Sequence, residues 1–270
     1  MIHREGGCVQ QTEPKVGRFQ VENLKIEIYP TRKDAGFAAA QAAAEELKRL
    51  YQQEKNTIGV IFATGASQLE TLRALVKIPD LLWDRICGFH MDEYLGIAQD
   101  HRASFRHYLR NELTERVRIL RFYDIDGNAP DPERFCQDYA EALKAAHPQL
   151  CLMGIGENGH LAFNDPGVAD FDDPRDVKIV ALDDECKQQQ VAEGWFGSTS
   201  EVPAQAITLT IPALLRVPKL IASVPGWRKA KIVKRTLHEA ISTACPATIL
   251  RTHPDATIYL DEESASELGK

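Results

Sequence analysis

Strand-like and helix-like segments alternate along almost the whole chain, and this alternation limits the possible folds more than any other feature of the sequence. The strand-like segments are short apolar runs, predicted at residues 57–63, 86–91, 117–123, 150–153, 177–182, 206–210, 220–224 and 256–260. The helix-like segments are predicted at residues 37–51, 69–76, 104–113, 132–146, 184–193 and 229–238, with a short helix from Pro212. Such alternation predicts an α/β fold in which helices cover both faces of a mainly parallel sheet.

The length of 270 residues suits one large domain or two small ones, and the chain contains no internal repeat or low-complexity linker. We therefore predict a single domain over residues 20–270, preceded by a polar extension over residues 1–19. Two acidic residues are predicted to cap helices: Asp34 before the helix at 37–51, and Asp131 before the helix that begins at Pro132.

Charge and cysteine content exclude several classes of protein. The net charge of −7 and the pI of about 5.7 argue against a general nucleic-acid or membrane-surface binder. No apolar run has the length of a membrane span, and the first residues lack the apolar stretch of a secretory signal. The cysteines are scattered without any C-x-x-C pair, so we interpret them as free thiols of a cytoplasmic protein: Cys8, Cys87, Cys136, Cys151, Cys186 and Cys245.

A glycine-rich segment raises the question of a dinucleotide cofactor. Gly154, Gly156 and Gly159 have the G-x-G-x-x-G spacing of a dinucleotide-binding turn. That motif requires a helix to open within it, whereas Asn-Asp-Pro-Gly at 164–167 breaks helices. The glycines are more consistent with a tight loop that brings backbone close to a ligand, and we predict no cofactor.

The same loop carries Asn158, His160 and Asp165. A histidine between two polar side chains can be held in one tautomer and can act as both acid and base. The alternative is a turn histidine that is hydrogen-bonded to backbone. No second histidine stands at a metal-ligand spacing, so we predict no metal site.

Three further strand ends carry polar residues. The turn Thr64-Gly65-Ala66-Ser67 lies between a strand and a helix, which is a ready anion site, although it lacks the lysine of a Walker A loop. The alternative for this turn is an ordinary helix start with Ser67 as N-cap.

The adjacent acids Asp92 and Glu93 suit the role of a general base, because the scaffold can hold one while the other faces substrate. Lys229 follows the strand at 220–224 and could reach a phosphate; the alternative is a solvated basic face.

Together these segments resemble the glucosamine-6-phosphate deaminases (isomerases), from about residue 24 to residue 268. The resemblance rests on ATGAS at 63–67, MDEY at 91–94, GIGENGHLAFNDP at 154–166 and GWRKA at 226–230. It implies a Rossmann-like three-layer α/β/α fold, shared with 6-phosphogluconolactonases and ribose-5-phosphate isomerases. Lactonases have a related Gly-His loop that continues as Thr-Ala-Ser, which this chain lacks.

The resemblance also implies a reaction without a cofactor, in which glucosamine 6-phosphate yields fructose 6-phosphate and ammonium. His160 would move protons during ring opening, oriented by Asp165 and in part by Asn158, and Asp92 would transfer a proton from C2 to C1 through an enolamine. The substrate and its phosphate would be held by Thr64, Gly65, Ala66, Ser67, Gly159 and Lys229.

Three departures from the family pattern keep alternatives open. Many members have aspartate at position 158 and glutamate at 165, so Asn158 lacks the charge and Asp165 is shorter by about one methylene. Members often carry a phosphate-binding arginine where Val191 stands, and Lys187 is a candidate replacement. The alternatives are galactosamine 6-phosphate or another sugar phosphate as substrate, or a sugar-phosphate sensor without turnover. Members range from monomers to hexamers, so a homo-oligomer is compatible with the family.

Overall fold

A computed structural model of the chain describes residues 17–54 and 57–269. Its strands are β1 (Gly17–Val21), β2 (Leu24–Tyr29), β3 (Ile58–Phe62), β4 (Ile86–His90), β5 (Asp92–Tyr94), β6 (Arg121–Tyr123), β7 (Leu150–Met153), β8 (Val177–Ala181), β9 (Gln205–Leu209), β10 (Lys219–Ser223) and β11 (Ala256–Asp261). Its α-helices are α1 (Arg32–Gln53), α2 (Leu69–Leu75), α3 (Phe105–Leu109), α4 (Pro132–Ala146), α5 (Asp184–Ala192), α6 (Ile211–Leu215) and α7 (Ala230–His238).

Eight of the strands form the central sheet, in the order β1-β2-β11-β10-β7-β3-β4-β6. Every neighbouring pair is parallel except β1 and β2, which pair in antiparallel register at one edge. The central strands are continuous apolar runs, such as Ile58–Phe62 with all five residues buried, because a parallel sheet is covered on both faces. The predicted mainly parallel sheet is confirmed.

Two apolar clusters lie on opposite faces of this sheet. One joins the alanine-rich side of α1 and the buried side of α2 to strand residues such as Val60 and Ile221. The other joins buried residues of α4, α6 and α7 to strand residues such as Ile61 and Ala222. Consecutive residues of one strand, such as Val60 and Ile61, therefore point to opposite faces of the sheet and pack against different helix layers. The fold is a three-layer α/β/α structure, as the resemblance implied.

A second, three-stranded sheet was not predicted as a separate unit. Its order is β5-β9-β8, and both of its pairings are antiparallel. The segments at 177–182 and 206–210 were correctly predicted as extended, but the hydrophobic pattern of a strand does not specify its partner. Aromatic residues fill the space beside this sheet, among them Tyr94, Phe163 and Phe196.

Two other features differ from the predictions. The sequence indicated no strand before α1, yet β1 and β2 form a hairpin there, so residues 17–19 of the predicted extension belong to an edge strand. Residues 1–16, and with them Cys8, lie outside the described part of the chain. Asp34 is not the cap of α1: Thr31 is the N-cap, and its side chain accepts a hydrogen bond from the backbone N–H of Asp34.

Two other predictions, the cap of α4 and the free thiols, are confirmed. Asp131 caps α4, where its side chain accepts a hydrogen bond from the backbone N–H of Arg134. Five cysteines of the described ranges are free thiols: Cys87, Cys136, Cys151, Cys186 and Cys245. Within residues 17–54 and 57–269, no helix combines the length and apolar character that crossing a membrane demands.

Candidate active site

Four adjacent strands of the central sheet, β10, β7, β3 and β4, end at one cleft. The loops that follow them bring Lys229, the glycine-rich loop, the 63–67 turn and Asp92 to its wall. Parallel strands present their carboxyl ends at the same edge of a sheet, which is where α/β folds bind ligands. The four segments that the sequence placed at strand ends therefore meet at one site.

The turn after β3 leaves its hydroxyl groups at the cleft. Gly65 has a φ of +90°, a conformation that favours glycine, and it starts the turn toward α2. Helix α2 begins only at Leu69, and its N-cap is Gln68, which makes no side-chain capping bond. The alternative in which Ser67 caps this helix is therefore wrong. Thr64 and Ser67 both line the cleft, while Gln68 donates to the carbonyl of Met153 and ties the turn to β7.

The two adjacent acids have different surroundings. Glu93 is fully buried and its carboxylate accepts four hydrogen bonds: from the Ser104 hydroxyl at 2.8 Å and from the backbone N–H groups of Tyr94, Phe105 and Arg106 at 2.9–3.1 Å. Burial raises the pKa of Glu93, although these hydrogen bonds act to lower it. Glu93 holds the start of α3 against β5 and is a scaffold residue.

Asp92 is the acid that faces the cleft. It is 7% exposed, and no described residue donates a hydrogen bond to its carboxylate. Burial, and then the charge of Glu93, raise the pKa of Asp92 well above that of an ordinary aspartate. A carboxylate that is poorly solvated and unpaired is a stronger base than one in water, which suits proton abstraction from carbon.

A change at Glu93 is expected to act on stability. Glu93→Gln should lower the free energy of unfolding by about 1–3 kcal/mol, because an amide nitrogen would then face buried N–H groups without an acceptor. Urea unfolding of the variant beside wild type measures this. Glu157→Gln, at a half-buried acid on the rim of the adjoining pocket, is the matched control. An unchanged unfolding midpoint in Glu93→Gln would contradict the scaffold role.

His160 stands on the loop after β7 with its ring against Gly156. A Cβ at position 156 would lie 2.3 Å from Nε2 and Cε1 of the imidazole, so only glycine leaves room for the ring. Nδ1 lies 2.9 Å from Oδ1 of Asp165, at ion-pair distance, although the N–H bond is poorly aligned with the oxygen. The shorter side chain of Asp165 therefore does reach His160. The tight turn at 161–164, in which Ala162 has a φ of +50°, brings Asp165 back toward the ring.

Asn158 connects the members of this group. Its amide nitrogen donates to Oδ1 of Asp165 at 3.0 Å, and its carbonyl oxygen accepts from the backbone N–H of His160 at 3.0 Å. Burial acts to raise the pKa of Asp165, but the contacts with His160 and Asn158 outweigh it and the net pKa is lowered. Asp165 thus stays ionised beside the imidazole, where its charge can stabilise the protonated ring.

Strand β9 supports both the Asp92 strand and the His160 loop. Asp92 is paired with Thr208 in the small sheet. The hydroxyl of Thr208 accepts a hydrogen bond from the backbone N–H of Phe163 at 3.0 Å, and the side chain of Asn164 donates to the carbonyl of Leu209 at 2.8 Å. One strand therefore positions the Asp92 strand and the His160 loop relative to each other.

Lys229 closes the other end of the cleft. It is 7% exposed and lines the wall, and its ammonium group forms no hydrogen bond or ion pair with any described residue. Burial lowers the pKa of Lys229, while Glu193 and Glu157 act to raise it. An ammonium group that is buried and unpaired is well placed to bind an anion that enters the cleft.

Helix α5 contributes residues that the sequence did not single out. Gln189, Gln190 and Glu193 line the cleft, and the Glu193 carboxylate is held by Gln189 at 2.8 Å and by the Trp195 indole at 3.1 Å. No motif marks these positions, because the orientation of the helix against the sheet decides which of its residues face inward.

Three residues considered at the sequence level lie away from the cleft wall. Lys187 is not among the lining residues, and Val191 packs with the apolar cluster beside the small sheet. Gly159, predicted as a substrate contact, has a φ of +93°, and a Cβ there would lie 2.9 Å from Sγ of Cys245. Gly159 adopts a conformation that favours glycine, and its role as a substrate contact stays a prediction.

Comparisons with known proteins identify the family to which the chain is similar. The family described as glucosamine-6-phosphate isomerases/6-phosphogluconolactonase matches residues 30–259. Glucosamine-6-phosphate deaminases of Bacillus thuringiensis (strain Al Hakam) and Bacillus anthracis (strain CDC 684 / NRRL 3495) are each 32% identical over 229 residues, covering 84% of this chain and 84% of the relative.

Two solved structures superpose on most of the chain. A monomeric glucosamine-6-phosphate deaminase superposes with a TM-score of 0.81 at 28% identity, over 90% of this chain and 99% of that one. The 6-phosphogluconolactonase of Thermotoga maritima superposes with a TM-score of 0.70 at 19% identity, over 88% of this chain and 99% of that one, which shows a shared fold.

Proposed function

The chain belongs to the glucosamine-6-phosphate isomerase/6-phosphogluconolactonase family, and from this premise we propose that it converts glucosamine 6-phosphate to fructose 6-phosphate and ammonium. One observation carries the proposal: the unpaired carboxylate of Asp92 and the oriented imidazole of His160 line the same cleft as Lys229. A lactonase needs no base to move a proton between carbons, whereas an aldose–ketose isomerase does.

Ring opening is the first step. With Nδ1 of His160 toward Asp165, Nε2 is the ring nitrogen left for the substrate, and the ring lies over Gly156 at the wall of the cleft. It takes the proton of the anomeric hydroxyl, and the protonated ring then returns a proton to the ring oxygen as the C1–O5 bond breaks. The Asp165 carboxylate stabilises the imidazolium in between, and Asn158 holds that carboxylate and the loop in place.

Isomerisation and deamination follow on the open-chain aminoaldehyde. Asp92 removes the C2 proton while the carbonyl oxygen at C1 takes a proton from the ammonium group of the substrate, which gives an enolamine with a C1 hydroxyl. The Asp92 carboxyl then returns its proton to C1. The product is an iminium at C2. Water adds to this carbon and the C–N bond breaks, which leaves fructose 6-phosphate and ammonium. No electrons leave the substrate, so the sequence of steps needs no oxidant or reductant.

The phosphate is assigned to the end of the cleft formed by the 63–67 turn and Lys229. The backbone and hydroxyl groups of Thr64, Gly65, Ala66 and Ser67 face this end together with the lysine. Binding here fixes the far end of the sugar, so that C1 and C2 lie between Asp92 and His160. Glu193 reduces the positive charge of this subsite, where relatives often place an arginine nearby.

Opposite changes at Lys229 and Glu193 test this assignment. Lys229→Met should raise KM for the sugar phosphate about 10- to 100-fold, because a charged hydrogen bond contributes roughly 1.5–3 kcal/mol. Glu193→Gln keeps one of the two hydrogen bonds that the carboxylate accepts, from Gln189 and Trp195, and removes the repulsion of the phosphate, so it should lower KM severalfold. Steady-state kinetics of both variants are compared with Lys231→Met, a lysine on the exposed side of α7. KM values that do not move in opposite directions would contradict the assignment.

Ammonium release tests the proposed function. The protein is incubated with glucosamine 6-phosphate, with galactosamine 6-phosphate in parallel, and hydrolysis of 6-phosphogluconolactone is followed in a third assay. Ammonium from the gluco epimer supports the proposal. Ammonium from the galacto epimer alone would keep the mechanism and replace the substrate. Lactone hydrolysis without ammonium, or binding of the amino sugar phosphates without turnover, would overturn the deaminase assignment in favour of a lactonase or a sensor.

A further inference from the structure

Three atoms of the kind that bind transition metals meet beside the catalytic imidazole. A ring nitrogen of His160, a carboxylate oxygen of Asp165 and the sulfur of Cys186 lie within 4.8 Å of one another. Cys186 belongs to the first turn of α5, whereas the other two residues stand on the loop after β7. Because these residues are far apart in the sequence, no motif spacing indicates the cluster. The proposed deamination does not use the Cys186 thiol.

One carboxylate oxygen of this cluster is buried without a hydrogen bond. Asp165 is 1% exposed, and its Oδ2 accepts no hydrogen bond within the described residues. Its Oδ1 lies 2.9 Å from Nδ1 of His160, in a contact too poorly aligned to be a hydrogen bond. Buried polar atoms normally have a partner, because an unpaired one loses its hydration without compensation. A free carboxylate lone pair, a ring nitrogen and a thiol at one point form a site that a cation would satisfy.

We propose that His160, Asp165 and Cys186 form an inhibitory binding site for a borderline-soft divalent cation, of which Zn²⁺ is the best match. Imidazole nitrogen, thiolate sulfur and carboxylate oxygen are the ligands that Zn²⁺ takes in proteins, and a water can complete a four-coordinate site. Mg²⁺ binds oxygen ligands almost exclusively and is not expected here.

Binding of Zn²⁺ to this site releases one proton, from the Cys186 thiol. Burial, and then Asp165 and Asp183, raise the pKa of the Cys186 thiol well above its usual range, so the group is protonated before the metal arrives. As the Zn–S bond forms, the S–H bond breaks and its proton passes to solvent. The thiolate and the Asp165 carboxylate together balance the charge of the ion. No oxidant or reductant takes part.

The consequence for His160 is loss of its base function. Zn²⁺ on Nδ1 forces the single proton of the neutral ring onto Nε2, the nitrogen that faces the substrate. The imidazole then has no free lone pair with which to accept the anomeric proton. The ion also draws Asp165 away from its role of stabilising a charged ring. Metal binding and ring opening therefore exclude each other.

Cobalt spectroscopy tests the site independently of the enzyme activity. The full-length protein is freed of metal with EDTA and titrated with Co²⁺, and the near-ultraviolet charge-transfer band of a Co²⁺–thiolate bond is followed. Wild type and Cys87→Ser, which changes a half-buried thiol elsewhere, should both show the band. Cys186→Ser and Cys186→Ala should lack it; circular dichroism identifies which of these two folds and is used. A band that persists in the folded Cys186 variant, or no band in wild type, would overturn the proposal.

Inhibition supplies the second measurement, and it rests on the proposed function. Zn²⁺ should stop ammonium release and EDTA should restore it, whereas Mg²⁺ should have no effect. Removing one of three ligands should raise the inhibitory Zn²⁺ concentration by at least about 10- to 100-fold in the Cys186 variant, since even outer-shell changes cost that much. Equal Zn²⁺ sensitivity in the Cys186 variant and wild type would contradict the site. A protein that shows the cobalt band but releases no ammonium would retain the metal site and lose the deaminase assignment.

Discussion

Asp92→Asn is expected to lower kcat for ammonium release by about 10²–10⁴-fold, the usual contribution of a positioned general base, with little change in KM. The amide has almost the same shape as the carboxylate but cannot accept the C2 proton. Because no described residue donates a hydrogen bond to the Asp92 carboxylate, the substitution removes no side-chain hydrogen bond of the described fold. Steady-state kinetics with glucosamine 6-phosphate measures the effect.

The same variant should be more stable than wild type at neutral pH. Burial raises the pKa of Asp92, so its contribution to folding is fully present below the pKa of an unfolded aspartate and is lost as pH rises through the folded value. At pH 7 the charged, desolvated carboxylate opposes folding, and asparagine removes that charge. Thermal unfolding at pH 7 and at pH 4 should show a gain for Asp92→Asn that is larger at pH 7.

Glu93→Gln is the matched control for both measurements. It changes the adjacent carboxylate in the same way, but it should reduce stability and spare kcat in the fraction that remains folded. An Asp92→Asn enzyme that retains most of its activity, or a Glu93→Gln enzyme that is folded and inactive, would mean that the two acids have been assigned the wrong way round.

The raised pKa of Asp92 also sets the pH profile. Only the ionised carboxylate can take the C2 proton, so kcat/KM should fall as pH drops through the folded pKa of Asp92. This acid limb should lie at a higher pH than an ordinary aspartate would give, because burial and Glu93 raise the value. The charge of Glu93 contributes to the raised pKa of Asp92, so the acid limb should move toward lower pH in Glu93→Gln. A limb at the pH of a solvated aspartate would contradict the environment described for Asp92.

His160→Gln is expected to lower kcat by about 10²–10⁴-fold as well, because the side chain can no longer cycle a proton between the anomeric hydroxyl and the ring oxygen. The defect should be confined to ring opening. An open-chain amino-alditol 6-phosphate has no ring to open, so it should inhibit wild type and His160→Gln with similar constants. A large loss of affinity for this compound would show that His160 mainly binds the substrate.

Asp165→Asn tests the charge of Asp165 separately from its position beside the His160 ring. The amide can still lie beside Nδ1, but it cannot stabilise the imidazolium by charge, so kcat should fall by less than in His160→Gln. Asn158→Asp is the opposite change: it adds a negative charge to this group, the charge that many relatives carry at that position. Equal losses in Asp165→Asn and His160→Gln would indicate that the pair acts as a unit, as strongly coupled catalytic residues do.

The sequence contained enough information for the fold and for much of the site. Short, fully apolar strands are readable because a parallel sheet buries both faces, and the carboxyl ends of such strands converge whatever their order. Asp92, His160 and Lys229 could therefore be placed at one edge before their neighbours were known. The role of Glu93 could not be assigned, since three of the four donors to its carboxylate lie 11–13 residues further along the chain.

The remainder depended on tertiary contacts that leave no local pattern. Gln189, Gln190 and Glu193 reach the cleft because of the way in which α5 lies over it, and the helix itself has no marked apolar face. The small sheet was missed as a unit for a similar reason. Its strands were readable, but antiparallel pairing between residues far apart in the chain is not encoded in the period of any one strand.

The position of β9 under both Asp92 and the His160 loop has a consequence for motion. Local opening of this strand would release the Thr208 contact to Phe163 and the pairing to Asp92 in one event. The two groups that we assign to proton transfer should therefore lose their alignment together, as one cooperative unit in hydrogen exchange, and seldom singly. Opening of the small sheet alone would then interrupt both proposed proton transfers.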